Sequence, residues 1–375
     1  MTNKKLKVIN VPNLRFPGFD GEWRSNRLAD MCEINPKNET LPNSFIYIDL
    51  ESVANGQLLK EDLISKDEAP SRAQRILSKN DVLFQMVRPY QKNNLFFDKD
   101  GKYVASTGYA QIRTEQNSKF IFQYLHNQKF VDKVIERCTG TSYPAINSTD
   151  LGNLRIDYPS VEEQEKIASF LSLIDEKIST QNKIIKELKL LKNTLRYQLF
   201  EQITTKITEF IEIRDILNYE QPNKYLVTDT DYSSDDSLIP VLTANKAFIL
   251  GYTNENFGIY DKGECIIFDD FTMDIKFVDF QFKVKSSAIK ILTAKTDANL
   301  KFIFEYLSFL GLSSNEHKRH YISEIEPMEI QLPNYIQQRC VANFLSSIDD
   351  KIKTEFEIYI LSIKQKTYFL ANLFI

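Results

Sequence analysis

The sequence is short of the residues from which small catalytic and metal sites are built. Its four cysteines, Cys32, Cys138, Cys265 and Cys340, are scattered through 375 residues without a CxxC pair. That argues against a zinc module or a disulfide framework and predicts a reducing, cytoplasmic setting. Only three histidines are present, which leaves little room for histidine catalysis. His317 and His320 have no acidic or cysteine ligand set beside them and read as loop residues. No apolar run approaches the roughly 20 residues of a membrane span, and the most apolar stretch, Phe302–Leu312, is interrupted by Glu305. The opening, MTNKKLKVIN, predicts no secretory leader.

Catalytic signatures are also missing. There is no GxxxxGK[ST], no GxGxxG and no GxSxG. Asn35-Pro36-Lys37-Asn38 lacks the second proline and the aromatic of an amino-methyltransferase loop and reads as a turn. Glu264, Asp270, Asp274 and Lys276 superficially fit a nuclease metal site. The first half of the chain has Asp81 but no matching cluster, and 51 acidic residues make such coincidences easy. The acidic stretch 228–236 reads as a solvated loop. The chain is expected to do no chemistry itself and to hold no metal or cofactor.

A surplus of positive charge is lacking too. The net charge is −4, which argues against a protein that grips nucleic acid unaided. The average hides an asymmetry: residues 1–158 carry +3 and residues 201–332 carry −9.

What the sequence does have is a repeat. Segments 159–200 and 333–374 align without a gap at an offset of 174, with 15 of 42 positions identical. The identities include the pairs Phe170/Phe344, Leu171/Leu345, Ile174/Ile348, Asp175/Asp349, Lys177/Lys351 and Ile178/Ile352. A fainter echo precedes each segment, KFIFQYL at 119–125 and KFIFEYL at 301–307. Neither segment holds a proline or glycine after its start, and Pro159 and Pro333 stand where helix entries tolerate them. Apolar residues recur at alternating steps of four and three from Ile167 to Leu199 and from Val341 to Leu373, broken at Gln181, Lys192 and their equivalents. That is a coiled-coil seam with polar register markers. A helix of about 40 residues is roughly 60 Å long, too long to pack on one small domain. Connectivity then predicts an antiparallel pair with a globular head at each end. Phe170, Leu171, Ile174 and Ile178, together with Phe344, Leu345, Ile348 and Ile352, are expected to form the seam.

The heads read as mixed strands and short helices. In the first, Ser44–Leu50, Asp81–Val87 and Tyr103–Thr114 (turning at Gly108) read as strands, and Phe120–Arg137 as a helix. In the second, strands are expected at Leu238–Leu242, Glu264–Phe268, Phe277–Val284 and Ala288–Leu292, and a helix at Leu300–Leu310. The fold class is α+β. Its predicted parts are a head at 1–158, a long helix at 159–200, a second head at 201–332 and a second long helix at 333–375.

Two diverged heads on a duplicated coil resemble the DNA specificity subunit of type I restriction-modification systems. Arg15-Phe16-Pro17-Gly18-Phe19-Asp20-Gly21-Glu22-Trp23 looks like the family's frequent opening. Glu163-Gln164-Glu165-Lys166-Ile167-Ala168, after Pro159, looks like the entry to its first conserved helix. The second copy departs there, Ile336-Gln337-Gln338-Arg339 keeping only Gln338 of the usual Glu-Gln pair. The resemblance implies that each head is a target recognition domain reading one half of a split, asymmetric double-stranded DNA sequence. It implies that the coil sets the gap and docks two methyltransferase subunits. Those would bring S-adenosylmethionine for adenine methylation, and restriction/translocase subunits using ATP and Mg would join them.

Arginine and asparagine suit base edges, and lysine suits phosphates. On that chemistry the candidate DNA-binding residues are Arg72, Arg75, Arg88, Tyr90, Lys92 and Tyr143 in the first head. In the second they are Lys276, Lys318, Arg319, His320 and Tyr321. Two other classes stay open at this point. A metal-dependent nuclease with duplicated DNA-binding halves would need Glu264, Asp274 and Lys276 to bind Mg²⁺. A non-DNA scaffold would use the coil only to tether two protein-binding heads.

Overall fold

A computed structural model describes residues 10–37, 40–243, 247–314, 316 and 318–375. Asn38 and His317 therefore lie outside the described residues. The chain divides into two compact units, one of residues 1–182 with 357–375, the other of 183–356. Two long helices, Val161–Lys206 and Tyr335–Asn372, each give residues to both units.

In the first unit, strand Arg24–Arg27 pairs antiparallel with Arg155–Tyr158. The short helix Leu28–Met31 leads from it into an antiparallel sheet ordered Cys32–Ile34, Tyr109–Thr114, Val82–Gln85, Leu95–Phe96. A second sheet is ordered Leu63–Ser65, Ser44–Ile48, Tyr103–Ser106, Ala73–Ile76, and its central pair is parallel. The expected helix Phe120–Arg137 is two helices, Ser118–Tyr124 and Gln128–Ile135. Asn127 breaks it: its backbone is extended and its side chain caps the second helix by accepting from Lys129 N. The same side chain donates to Leu370 O at 2.7 Å, fixing the break against the second long helix.

The second unit repeats this plan. Phe210–Glu212 pairs with Glu329–Gln331, and helix Ile213–Ile216 leads into a sheet ordered Leu217–Glu220, Ile289–Ala294, Cys265–Asp269, Ile275–Val278. The smaller sheet is ordered Ile249–Thr253, Ile239–Leu242, Lys283–Val284, and its last two strands pair parallel. It has three strands where the first unit has four; the counterpart of Ala73–Ile76 is missing among the described residues. The expected strand Phe277–Val284 is two, because the chain leaves one sheet after Val278 and enters the other at Lys283. Helix Leu300–Leu310 stands as expected, capped by Asn299 and ended by Gly311 in the left-handed region.

Each core is closed by the far end of a long helix. Phe200 is fully buried against Phe302 and Tyr306, with ring centroids 5.2 and 5.1 Å away. Phe374, its equivalent at the offset of 174, lies 5.4 Å from Phe120 and 5.3 Å from Tyr124. Phe120 and Tyr124 are the first unit's counterparts of Phe302 and Tyr306 in the KFIF motif. No described helix is long and apolar enough to cross a membrane.

Candidate nucleic-acid interface and helix seam

Within each unit the long helices run antiparallel. In the first, Phe170 packs on Phe369 at 4.8 Å and Asp175 meets Lys366 Nζ at 2.5 Å. In the second, Lys192 Nζ donates to both oxygens of Asp349 at 2.7 Å. Lys192 is equivalent to Lys366 and Asp175 to Asp349. The contact is therefore reciprocal, as pairing between duplicated partners requires. The lysines that interrupt the apolar seam are its ionic pins.

Around the pins the two units differ. Buried Glu305 accepts from Lys192 Nζ and Arg196 Nε, each at 2.8 Å. In the first unit the equivalent residue is Gln123, which donates to Asp175 at 2.7 Å, and Leu370 stands in the place of Arg196.

A buried glutamine ties each head to its helix. Gln164 Nε2 donates to Pro159 O at 3.1 Å, and its Oε1 accepts from Asn117 N at 3.3 Å. Gln338 Nε2 donates to Pro333 O and its Oε1 accepts from Asn299 N, both at 2.8 Å. Asn117 and Asn299 in turn cap the helices beginning at Ser118 and Leu300. The residue the second copy lacks has a local job in the first. Glu163 is buried and takes a bidentate grip from Arg15, at 2.8 Å from Nε and 2.7 Å from Nη2. Arg15 belongs to a lead segment before the first strand. In the second unit only residues 207–209 separate the long helix from the first strand, so that segment has no counterpart.

The same difference corrects one seam assignment. Leu171, Ile174 and Leu345 are buried, and Phe170, Ile178, Ile348 and Ile352 are half-buried. Phe344 is 46 % exposed. Its equivalent Phe170 is covered by Phe16 of the lead segment, at 5.4 Å, and the second unit has no such cover.

In the first head, backbone hydrogen bonds align the candidate loops: Thr107 N to Arg72 O at 2.9 Å, Met86 N to Gly108 O at 2.9 Å, and Arg88 N to Pro144 O at 2.7 Å. Arg72, Tyr90 and Tyr143 are exposed, and the Arg88 guanidinium lies 4.1 Å over the Tyr143 ring. Arg75 sits on strand Ala73–Ile76, half-buried, with its pKa lowered by that burial. Lys92 is not free: Nζ donates to Gln128 Oε1 at 2.7 Å and His126 O at 3.2 Å, and burial lowers its pKa.

In the second head the candidates scatter. Arg319 is exposed. Lys318 is also exposed, but it pairs with Glu316 and Glu324 at 2.8 and 2.9 Å, which raises its pKa. His320 and Tyr321 are buried, and sequence reasoning misplaces them. They open a π-helical turn, Tyr321–Ile325, pinned by Asp270 Oδ1, which accepts from His320 N at 3.1 Å and Tyr321 N at 2.8 Å. The Tyr321 ring packs against Phe268 and Tyr219. Lys276 lines a cleft beside the seam with Lys301, Asp349 and Lys353, on the helix side of its strand. Asp270 of the nuclease-like quartet is also committed, 3.4 Å from buried Lys290. Among the described residues no three His, Cys, Asp or Glu side chains cluster as metal ligands.

Residues 20–190 match the model of the type I restriction modification DNA specificity domain. The specificity subunit of type I restriction enzyme EcoR124I/EcoR124II of Escherichia coli is 48 % identical over 131 residues, 33 % of this chain and 32 % of that protein. The MjaX specificity subunit of Methanocaldococcus jannaschii is 25 % identical over 402 residues, 93 % of this chain and 90 % of that protein. Over residues 20–190 and in these relatives the chain is similar to type I restriction-modification specificity subunits. It spans about a third of the E. coli relative and 37 % of the HindI specificity subunit of Haemophilus influenzae, to which it is 25 % identical. The fold is shared with the S subunit of M. genitalium, at a TM-score of 0.65 and 15 % identity over 97 % of this chain and 99 % of that one. A chain from a study of type I complex assembly and conformational transition gives 0.55 and 19 % over 96 % and 98 %. The chain thus shares the mixed helix-and-sheet fold of these structures over nearly its whole length. The pinning residues Glu305 and Gln123 escaped sequence reasoning, although the KFIFQYL/KFIFEYL difference was the signal for them.

Proposed function

We propose that the chain is the DNA-reading component of a type I restriction-modification complex and performs no chemistry itself. Each head reads one half of a split, asymmetric DNA target. The long helices set the gap and dock two methyltransferase subunits, which bring S-adenosylmethionine and methylate adenine in each half. Restriction/translocase subunits, with ATP and Mg, join through them. The observation that carries this reading is the pairing of one retained frame with two diverged faces. The pins, the glutamine ties and the phenylalanine plugs recur in both units. The candidate loops do not: strand Ala73–Ile76 and the Arg88–Tyr143 stack belong to the first head alone among the described residues. Two different readers on a repeated frame yield a target with two different halves, and linking two weak sites raises affinity through effective concentration. The net charge of −4 fits partners that supply much of the phosphate contact.

The test is single-molecule methylation mapping of DNA from cells with and without this gene, a cognate methyltransferase subunit being present. A split adenine-methylated motif that disappears with the gene is the expected result. Absence of any gene-dependent motif, with the methyltransferase shown to be competent, would refute the reading.

A further inference from the structure

We propose that Arg88 reads a guanine in the half-site of the first head, with Tyr143 as its stacking platform. The inference rests on the DNA-specificity reading and adds the base and the residue to it. Several cations of this head are already spent. Arg15 grips Glu163, Arg113 grips Asp81 at 2.8 Å, Lys79 meets Asp100 at 3.1 Å, Lys99 pairs with Glu61, and Lys92 is tied down by Gln128. Arg88 is different. Its side chain makes no hydrogen bond or ion pair among the described residues, and its Nε is buried without a partner. Yet the group is not loose, since it lies 4.1 Å over the ring of Tyr143, itself 65 % exposed.

The backbone beneath is held in a shape that most residues avoid. Arg88 and Lys92 both sit in the left-handed region at φ 54°, flanking the turn Pro89–Gln91. Non-glycine residues persist there only when their surroundings over-determine them. Here Arg88 N donates to Pro144 O at 2.7 Å, Val87 bridges Ala145, and Lys92 N closes back on Pro89 O at 3.0 Å. The strain therefore lies in the segment that aims one guanidinium.

A guanidinium covered on one face by an aromatic ring keeps its terminal nitrogens as a planar fork of donors. In the major groove only guanine presents two adjacent acceptors, O6 and N7; adenine sets a donor beside its acceptor, and cytosine offers a donor. A phosphate would also accept the fork, but phosphate contacts position a protein and carry no base preference.

The test is methylation mapping of Arg88→Ala, Arg88→Lys, Tyr143→Ala and Tyr143→Phe in the full chain with its methyltransferase. For both Arg88 variants, one G·C position in one half of the motif should relax, with discrimination there falling by about 5- to 150-fold. The other half should be unchanged. Arg88→Lys keeps the charge and loses only the fork, so its relaxation separates base reading from misfolding. Tyr143→Ala should relax the same position partially, and Tyr143→Phe should not. An unchanged motif in Arg88→Ala, or a uniform loss of methylation at every site, would overturn the assignment, the latter marking a phosphate contact. The wild-type chain is mapped first. If it yields no gene-dependent motif, the DNA-specificity reading fails before Arg88 is tested.

Discussion

The two units are built to one plan and pinned by different chemistry. Both have a phenylalanine plug, a buried glutamine tie and a lysine–aspartate pin. The first unit adds a lead segment that covers Phe170 and pairs with Glu163, and around its pin it relies on a neutral Gln123 beside Leu370. The second lacks that segment, leaves Phe344 bare, and buries Glu305 between Lys192 and Arg196. The comparison teaches which repeated residues do the same work twice. Identity persists where a residue holds a helix to a head and fades where a head has its own neighbours.

The largest effect expected from this comparison is at the plugs. Phe374→Ala should cost about 3–5 kcal/mol in the first unit, and Phe200→Ala the same in the second. Hydrogen exchange should show lost protection in one unit at a time. Loss in the wrong unit for either variant would break the correspondence.

Next come the pins. Lys192→Met leaves buried Glu305 with Arg196 and, more distantly, Lys301 at 3.7 Å to balance it, so about 3 kcal/mol should be lost. The same change at Lys366, 17 % exposed and holding one half-exposed aspartate, should cost about 1 kcal/mol or less. Urea unfolding of both variants checks the order, and equal losses would mean that Glu305 is not the difference.

Smaller still is a difference in acid response. Buried His126 lies beside Lys366 and Lys92, with Asp175 opposing them, and burial first and the lysines second push its pKa down to about 4. A lowered histidine contributes stability above its unfolded pKa near 6.5 and loses it as pH falls toward 4. By pH 5 that is about 2 kcal/mol from the first unit. In the second unit, burial opposes ionisation of Glu255, but Lys283 and Thr228 outweigh it and hold the carboxyl at about 2. Its contribution is present above about pH 4.5 and is lost as pH falls toward 2. Exchange measured at pH 7 and 5 should therefore show loosening around His126 and none around Glu255. A His126→Leu variant should remove the first response.

The frame was legible in the sequence because a seam is a local pattern. Period and identity together located helices observed at Val161–Lys206 and Tyr335–Asn372. Strands came through where β-branched and aromatic residues ran together, as at Ser44–Ile48 and Cys265–Asp269. Two breaks did not, at Asn127 and after Val278, since each is imposed by a distant partner or a change of sheet. The candidate DNA residues were least legible. Lys318-Arg319-His320-Tyr321 reads as a polar surface string, yet Asp270, about 50 positions earlier, pulls half of it inward. Burial of that kind is decided by tertiary contact, and a polar composition carries no mark of it.

The plugs have a consequence for how the molecule is made. Domains ordinarily fold as they leave the ribosome, the earlier one first. The core of the first unit contains Leu370, Leu373 and Phe374 alongside Trp23 and Phe120. That core stays unfinished while some 200 further residues are translated, whereas Phe200 is already in hand when the second head emerges. The unit begun first is therefore completed last, and a message cut short anywhere before codon 370 yields a first head with its aromatic core open.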